Sequence, residues 1–559
     1  MPLLRRAVAA AFTALPFLSV ATAVPTPTIP WGTCPETWVG VASGSLGNRL
    51  QCVTMRAPFD HVVPDGRQID VGVIRIRAAL PAQREGSIFF NQGGPGEHPG
   101  KLLRLIGESW SGMRADNPIE GDKRRISDRY DLVAVIPRGL VGSGEIRCSN
   151  EVPPPPKHAF LPTHLGDANW QLAIDGARAV ADACKAPEVS RFVNTEQYVH
   201  DMDTVRHMLG DERLHFYGIS YGGMVGAWYA SIYPEHTGRL LLDSSMDLMH
   251  GYRAAALLAV KAEQQAFDEN VVAPVLRDPG AYGLRQDRAG ITTAIDDFPP
   301  RAREAWAGQL HSPSQLAAAL RVVEWLRSDN PPTIEAMARL VDRASFSNDP
   351  LLNLRIRREA DTLARSLYAA SGTSSAPGED PEGDFVRLAM GCNDVEWPRR
   401  LADIRESLRR YAARYFNFKG HQIMEELTCT FWGGPSVRRP DLTVLGRATP
   451  FLLIQSEKDA STPLAGASHI LDAFANARML LVRNSTVHGV FNFTTSACVE
   501  RTAARYLLTG ALPVTSSRAF SCNDGFSNPV DGLPGSFPAP AEEPVAINNP
   551  AVAAGHDEF

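Results

Sequence analysis

Apolar positions along the chain fall into two regimes. Up to about residue 245 they come in short runs separated by amphipathic stretches. Residues 71–77 (Val71-Gly-Val-Ile-Arg-Ile-Arg77) alternate as a strand does, and 87–91 form a compact apolar run that ends in glycines. Residues 130–136 form another, followed by Pro137-Arg138-Gly139, and 240–243 supply the next strand. Between them, Val199, Met202, Val205 and Leu209 recur at helical spacing and lead into the strand-like stretch 213–217. Strands alternating with helices predict a largely parallel central sheet covered on both faces, an α/β class. From 246 to 440 helical patterns dominate: Leu316, Leu320, Val323 and Leu326 mark one face, and 354–368 repeat the behaviour. Acidic and proline-rich breaks such as 374–384 interrupt them. The strand pattern resumes with 450–454 and 479–482 on either side of a helix-like stretch at 465–474. These shifts divide the chain into a first core part at 24–245, a helical insertion at 246–440, a second core part at 441–522 and a proline- and alanine-rich tail at 523–559.

Residues 1–23 change where the protein is expected to act. Arg5 and Arg6 precede an apolar run to about Val20, and Ala21-Thr22-Ala23 offers a small-residue cleavage site, the pattern of an export signal. The run is short for a membrane span, so a secreted, extracellular or periplasmic protein is expected, with no span after cleavage. Eight cysteines in an exported chain suggest disulfides. Cys34, Cys52, Cys148, Cys184, Cys392, Cys429, Cys498 and Cys522 fall into neighbouring couples, but proximity alone leaves the connectivity open. No C-x-x-C or H-E-x-x-H occurs, and nothing in the sequence asks for a metal or a cofactor. A net charge of −6 gives no reason to expect nucleic acid. Asn484 and Asn492 begin N-x-S/T sequons, for which at most partial glycan occupancy is expected.

The chemistry centres on Gly218-Ile-Ser220-Tyr-Gly222, a G-x-S-x-G pattern between a strand and a helix-compatible segment. Such a turn presents a serine nucleophile, which needs a base and an acid to orient that base. Asp459, just past the strand-like run 451–454, is the leading acid; Glu457 is a near competitor, Asp243 a remote one, and Asp472 falls within a helix. Of the three histidines that follow, His469 lies in a helix and His556 in the tail, which leaves His488 as general base. Gly93 or Gly94, after the strand that ends at Asn91, is placed to donate one backbone N–H to an oxyanion, and Tyr221 the other.

Taken together, Asn91-Gln-Gly-Gly-Pro-Gly96, Pro137-Arg-Gly139, the Ser220 motif, Asp459-Ala-Ser-Thr-Pro463 and His488 resemble the tripeptidyl-aminopeptidase-like α/β-hydrolases, relatives of the proline iminopeptidases. Cys392-Asn-Asp394, Cys429-Thr-Phe-Trp432 and the 498–522 segment extend the resemblance over nearly the whole mature chain. It implies an α/β-hydrolase fold with a helical cap, an exported enzyme and disulfides within the neighbouring cysteine couples. The departures concern substrate. Gln92 stands where the family has proline, Glu97-His98-Pro99 where it has small residues, and Ile136 where it often has aspartate, while Leu140-Val141 lengthen the following turn. Family aminopeptidases hold the substrate's amino terminus with acidic groups, for which Asp394 and Glu97 are the candidates. The leading expectation is a serine hydrolase that releases short N-terminal units from peptides. A carboxylesterase acting on small esters or lactones would use the same residues, and a non-catalytic binding module on the same fold is the third reading.

Overall fold

The computed structural model describes residues 29–523, apart from 42–43, 147, 149–165, 285–286, 300–301, 303–304, 307–309, 328–330, 370–380, 416–419, 449 and 514–516. The expected export signal at 1–23 and nearly all of the tail at 523–559 lie outside the described residues, as does most of the acidic break at 374–384.

Nine strands form one sheet: β1 (Leu50–Pro58), β2 (Gln68–Ile76), β3 (Gly86–Asn91), β4 (Tyr130–Val135), β5 (Leu214–Ile219), β6 (Thr237–Asp243), β7 (Phe451–Ser456), β8 (Ala477–Arg483) and β9 (Ala519–Asn523). Their order is β1-β2-β4-β3-β5-β6-β7-β8-β9. The first two strands pair antiparallel and β2 joins β4 antiparallel, while every pairing from β4 through β9 is parallel. Every residue of β3, β4 and β7 is buried, as strands covered by helices on both faces require. With a serine turn after β5, this is the α/β-hydrolase fold that the alternating pattern and the motifs predicted. The strands that periodicity did not reveal are the two edges, β1 and β9, each paired on one side only.

Between β6 and β7 the chain leaves the sheet for a long helical excursion. Part of it, from Phe267 to Leu367, buries its apolar side chains in a cluster separate from that of the sheet. Leu316, Leu320 and Val323 from the helix Pro313–Leu326 face this cluster, as their spacing predicted. The later helices Pro381–Asp394 and Gly420–Trp432 behave differently. Their Phe385, Met390, Cys392 and Trp432 join the sheet's own core. Four disulfides couple Cys34 with Cys52, Cys148 with Cys184, Cys392 with Cys429 and Cys498 with Cys522. The third joins those two helices, and the fourth joins the helix Ala497–Thr509 to β9. Among the described residues, no helix is long and apolar enough to cross a membrane.

Candidate active site

Ser220 follows β5 and immediately precedes the helix Tyr221–Ile232. Its backbone sits at φ 60° and ψ −120°, a conformation that costs a non-glycine residue about 1–3 kcal/mol and persists only where the surroundings impose it. Here both ends of the turn are held. The Ser220 N–H donates to the Asp243 carbonyl at 3.0 Å, and the Gly223 N–H donates to the Ser220 carbonyl at 3.0 Å. Gly222 admits no side chain, because a Cβ would lie 2.5 Å from the Asn91 carbonyl oxygen. Strain and close packing together lift the serine out of the helix line.

Asp459 follows β7 and is almost fully buried. Its Oδ1 accepts the N–H groups of Ser461 and Thr462 at 2.8 and 3.0 Å, and its Oδ2 accepts the Thr462 hydroxyl at 2.9 Å. The same Oδ2 lies 2.9 Å from His488 Nδ1. A carboxylate can only accept, so Nδ1 carries the proton and the lone pair of a neutral ring is on Nε2, the atom a general base uses. Burial disfavours charging this ring, but the hydrogen bond and charge of Asp459, helped by Asp243, outweigh it and raise the His488 pKa. The side chain remains 32% exposed, so it is reachable from the site. No hydrogen bond joins Ser220 Oγ to the ring. Ser220 lines a cavity of about 140 Å³ together with Tyr221, Ser461 and Thr462, and Thr462 is the lining residue that reaches the histidine. Thr462 Oγ1 is 3.2 Å from His488 Nδ1.

The competing acids have other duties. Asp243, fully buried at the end of β6, accepts the Val490 N–H on both oxygens at 2.9 Å and the Phe491 N–H at 2.8 Å. It holds the backbone that follows His488 rather than the ring. Burial lifts its pKa to about 7 against the pull of those hydrogen bonds. Ser244 Oγ accepts the Gly489 N–H at 2.9 Å, and Trp110 Nε1 donates to Asn492 Oδ1 at 2.7 Å, so the His488 loop is pinned along its length. Glu457 is bound to Arg483 Nη1 and to the Asn484 N–H instead. His469 bonds to Asp247, and His556 lies outside the described residues. The Asn492 amide nitrogen is buried, which removes this sequon as a glycan site on the folded chain, while Asn484 is exposed.

The two glycines expected at the oxyanion position separate in the structure. Gly93 donates its N–H to Asn91 Oδ1 at 2.8 Å, so it is already engaged and its expected role as donor is corrected. Gly94 lines the cavity beside Ser220 and Tyr221, and among the described residues neither its N–H nor that of Tyr221 makes a hydrogen bond. Gly93 contributes space instead: a Cβ there would stand 2.9 Å from Ser220 Cβ and 3.0 Å from the Tyr221 nitrogen.

Asp394 does not match its expected role as an amine holder. It is buried, and its carboxylate accepts the Thr195 N–H at 3.0 Å, the Thr195 hydroxyl at 2.6 Å and the Tyr221 hydroxyl at 2.6 Å. Burial raises its pKa to about 6 despite these bonds. The acid therefore fixes the side chain of Tyr221, whose N–H faces the serine turn. Glu97 is exposed beside Gly94 and accepts from Gln92 Nε2 at 3.3 Å. Two departures from the family pattern meet here, since His98 Nε2 lies 3.2 Å from the Val141 carbonyl. Sequence reasoning missed Tyr252, which lines the cavity from the helix Gly251–Phe267, and Glu425, buried next to it. Neither sits in a motif. Thr462, by contrast, was visible within Asp459-Ala-Ser-Thr-Pro463.

The chain is similar to known proteins over most of its length. Residues 415–519, which include Asp459 and His488, match the family described as "TAP-like protein". Over 510 residues the chain is 27% identical to a tripeptidyl aminopeptidase of Streptomyces coelicolor, covering 88% of this chain and 86% of the relative. It is 23% identical over 482 residues to the serine protease Hip1 of Mycobacterium tuberculosis, covering 84% and 86% respectively. It is also 25% identical over 510 residues to a Mycobacterium tuberculosis protein named Carboxylesterase B, covering 87% and 89%. The resemblance read from the motifs therefore extends over most of the chain. The expectation of a serine hydrolase, rather than a binding module, is borne out.

Proposed function

We propose that this serine hydrolase is exported, works through an acyl-enzyme, and removes short units from the free amino end of peptides. Ser220 Oγ attacks the scissile carbonyl while His488 Nε2 takes its proton, and Asp459 holds the ring through Nδ1–H. The N–H groups of Gly94 and Tyr221 receive the negative charge that develops on the carbonyl oxygen. His488 then delivers its proton to the leaving amine, and water, activated by the same ring, releases the acyl group and restores Ser220. The observation that carries this reading is the 2.9 Å contact between His488 Nδ1 and Asp459 Oδ2 beside a strained serine turn. Four disulfides support a non-cytosolic site of action.

Peptidase selectivity rests on the relatives named as aminopeptidase and serine protease and on one buried carboxylate. Glu425 is ion-paired with Arg387, Oε1 to Nη1 at 3.3 Å, and hydrogen-bonded with the cavity-lining Tyr252, while Oε1 itself accepts no hydrogen bond. Spare acceptor capacity of this kind suits an ammonium group. The esterase reading has its own support. A cavity of about 140 Å³ is close in size to an engineered cavity of about 150 Å³ that admits benzene, and so suits a small acyl group.

Replacing Ser220 with alanine tests the mechanism. Turnover should fall by about 10⁶-fold with an unchanged melting temperature, and substantial residual activity would remove the assignment. Comparing a free-amine peptide amide, its N-blocked form and a simple ester separates the two selectivities. A requirement for the free amine supports the peptidase; indifference to it supports the esterase.

A further inference from the structure

Beside the catalytic cavity, three side chains from separate stretches of sequence converge on one point. Asp247 lies in the loop after β6, His250 caps the helix Gly251–Phe267, and His469 projects from the helix Leu464–Ala473. Asp247 lines the cavity that holds Ser220 and is 2% exposed. Its Oδ2 is 2.7 Å from His250 Nδ1 and 2.8 Å from His469 Nδ1, while its Oδ1 accepts the Met249 N–H at 2.8 Å. The two imidazole rings meet edge to face with centroids 4.8 Å apart.

We propose that Asp247, His250 and His469 bind a divalent transition-metal ion of the zinc class in the wall of the catalytic cavity. The donor set argues for it. Two imidazole nitrogens and one carboxylate oxygen suit zinc and its neighbours far better than calcium or magnesium, which prefer all-oxygen shells. All three donor atoms lie within 4.8 Å of one another. An ion about 2.0–2.2 Å from each donor needs them about 3.3–3.5 Å apart in a tetrahedral set. The two Nδ1–Oδ2 distances of 2.7 and 2.8 Å are shorter than that, so binding requires both rings to move away from Oδ2. Each Nδ1 proton moves to Nε2 as the nitrogen lone pair turns to the ion, so neutral rings bind without net loss of a proton. The imidazoles are 47% and 29% exposed, which leaves a path for the ion and room for water as a fourth ligand.

The consequence follows from where the donors sit. His250 begins the helical excursion, and His469 belongs to the second half of the sheet's core. An ion shared between them fastens the first inserted helix, which carries Tyr252, to the sheet-side helix that follows the Asp459 loop. Arg439, distant in sequence, packs against the loop after β6, where its guanidinium donates to the Leu248 and Met249 carbonyls. That positive charge tempers the affinity, so low-micromolar rather than picomolar binding is expected. No local motif announces such a set, because Asp247 and His250 are joined to their third member only by the fold.

Zinc titration of the chelator-treated full chain, followed by calorimetry, tests the proposal. One equivalent should bind with a low-micromolar or tighter Kd, and cobalt should give the visible absorption of a four-coordinate ion. His469→Ala and His250→Ala should each weaken binding by at least about tenfold, the scale on which a metal site's immediate surroundings act. Ser220→Ala should bind zinc as the unmodified protein does, which keeps the test independent of the proposed reaction. Zinc should also raise the melting temperature of the unmodified protein but not of His469→Ala. Absence of stoichiometric binding, or binding that survives both histidine replacements, would overturn the site.

Discussion

The sheet's core and the core of the inserted helices are built on different principles. Around the sheet, buried polar groups are numerous and tied into networks. Arg138 is 1% exposed and bonds both oxygens of Asp201, at 2.7 and 2.8 Å, together with the Pro58 and Phe59 carbonyls. Asp243, Asp394 and Asp459 each take three or more hydrogen bonds while buried. In the separate cluster from Phe267 to Leu367, Ser314 is the one buried polar side chain among the described residues. Satisfied polar networks fix a single geometry, whereas apolar packing tolerates rearrangement at modest cost. The difference teaches where precision is needed. The sheet side must hold reacting groups in register, whereas the cluster from Phe267 to Leu367 lines no part of the cavity beside Ser220.

Replacing Asp459 with asparagine strikes the sheet side hardest. The amide cannot accept from Nδ1–H in the same orientation without presenting its own NH₂, so the ring loses its useful tautomer. Turnover should fall by about 10⁴-fold. Its pH profile sharpens the point. His488 acts as base only when neutral, and its pKa is raised, so the acid limb of kcat/KM should lie above the ordinary histidine value near 6.5. Activity should fall as pH drops through that limb. In Asp459→Asn the raising partner is gone while burial remains, so the residual activity should show its limb at lower pH. A limb that stays in place would mean that another group controls it.

Gly93→Ala should cost less but still break the site. The added methyl would stand 2.5 Å from the Ile219 carbonyl and crowd both Ser220 and the Tyr221 N–H, at a residue with φ of 95°. Loss of one oxyanion donor predicts a drop of about 10²–10³-fold in kcat. A variant that folds and retains full kcat would show that the Tyr221 N–H takes no part. Arg138→Met reads stability rather than chemistry. It leaves the Asp201 carboxylate buried without its main partner, and about 3–5 kcal/mol of folding stability should be lost in denaturant unfolding. A loss below about 1 kcal/mol would mean that water or His61, which is 2.8 Å from Asp201, fills the gap.

The same division explains what could be read from the chain before its fold was known. On the sheet side, short apolar runs and glycine-bounded motifs are local signals. Ser220, Asp459 and His488 each announce themselves within a few residues of a strand end. That the Gly93 N–H is already engaged was not legible, because it depends on Asn91 turning its side chain back onto Gly93. Nor was the work of Asp394, whose partner Thr195 lies 199 residues away. Such contacts have no periodicity and no spacing rule; only the folded chain brings them together. The insertion showed its helices through helical spacing, yet gave no sign that Phe385, Met390, Cys392 and Trp432 would join the sheet's core while Phe267 to Leu367 formed their own cluster.

That last split makes the smallest effect on turnover the most informative about architecture. Leu316 is fully buried in the helix Pro313–Leu326, which packs on the helix Pro350–Ala369. Truncation to alanine removes transfer energy and leaves a cavity, a cost of about 2–5 kcal/mol. If the inserted cluster holds its shape independently, this loss should appear as an earlier unfolding step confined to the insertion. The sheet side should then unfold at its original denaturant concentration. kcat for a small ester should be unchanged, because no described member of the Leu316 cluster lines the cavity beside Ser220. A single transition shifted as a whole, or a parallel fall in ester turnover, would mean that the two cores act as one cooperative unit and that the catalytic loops depend on both.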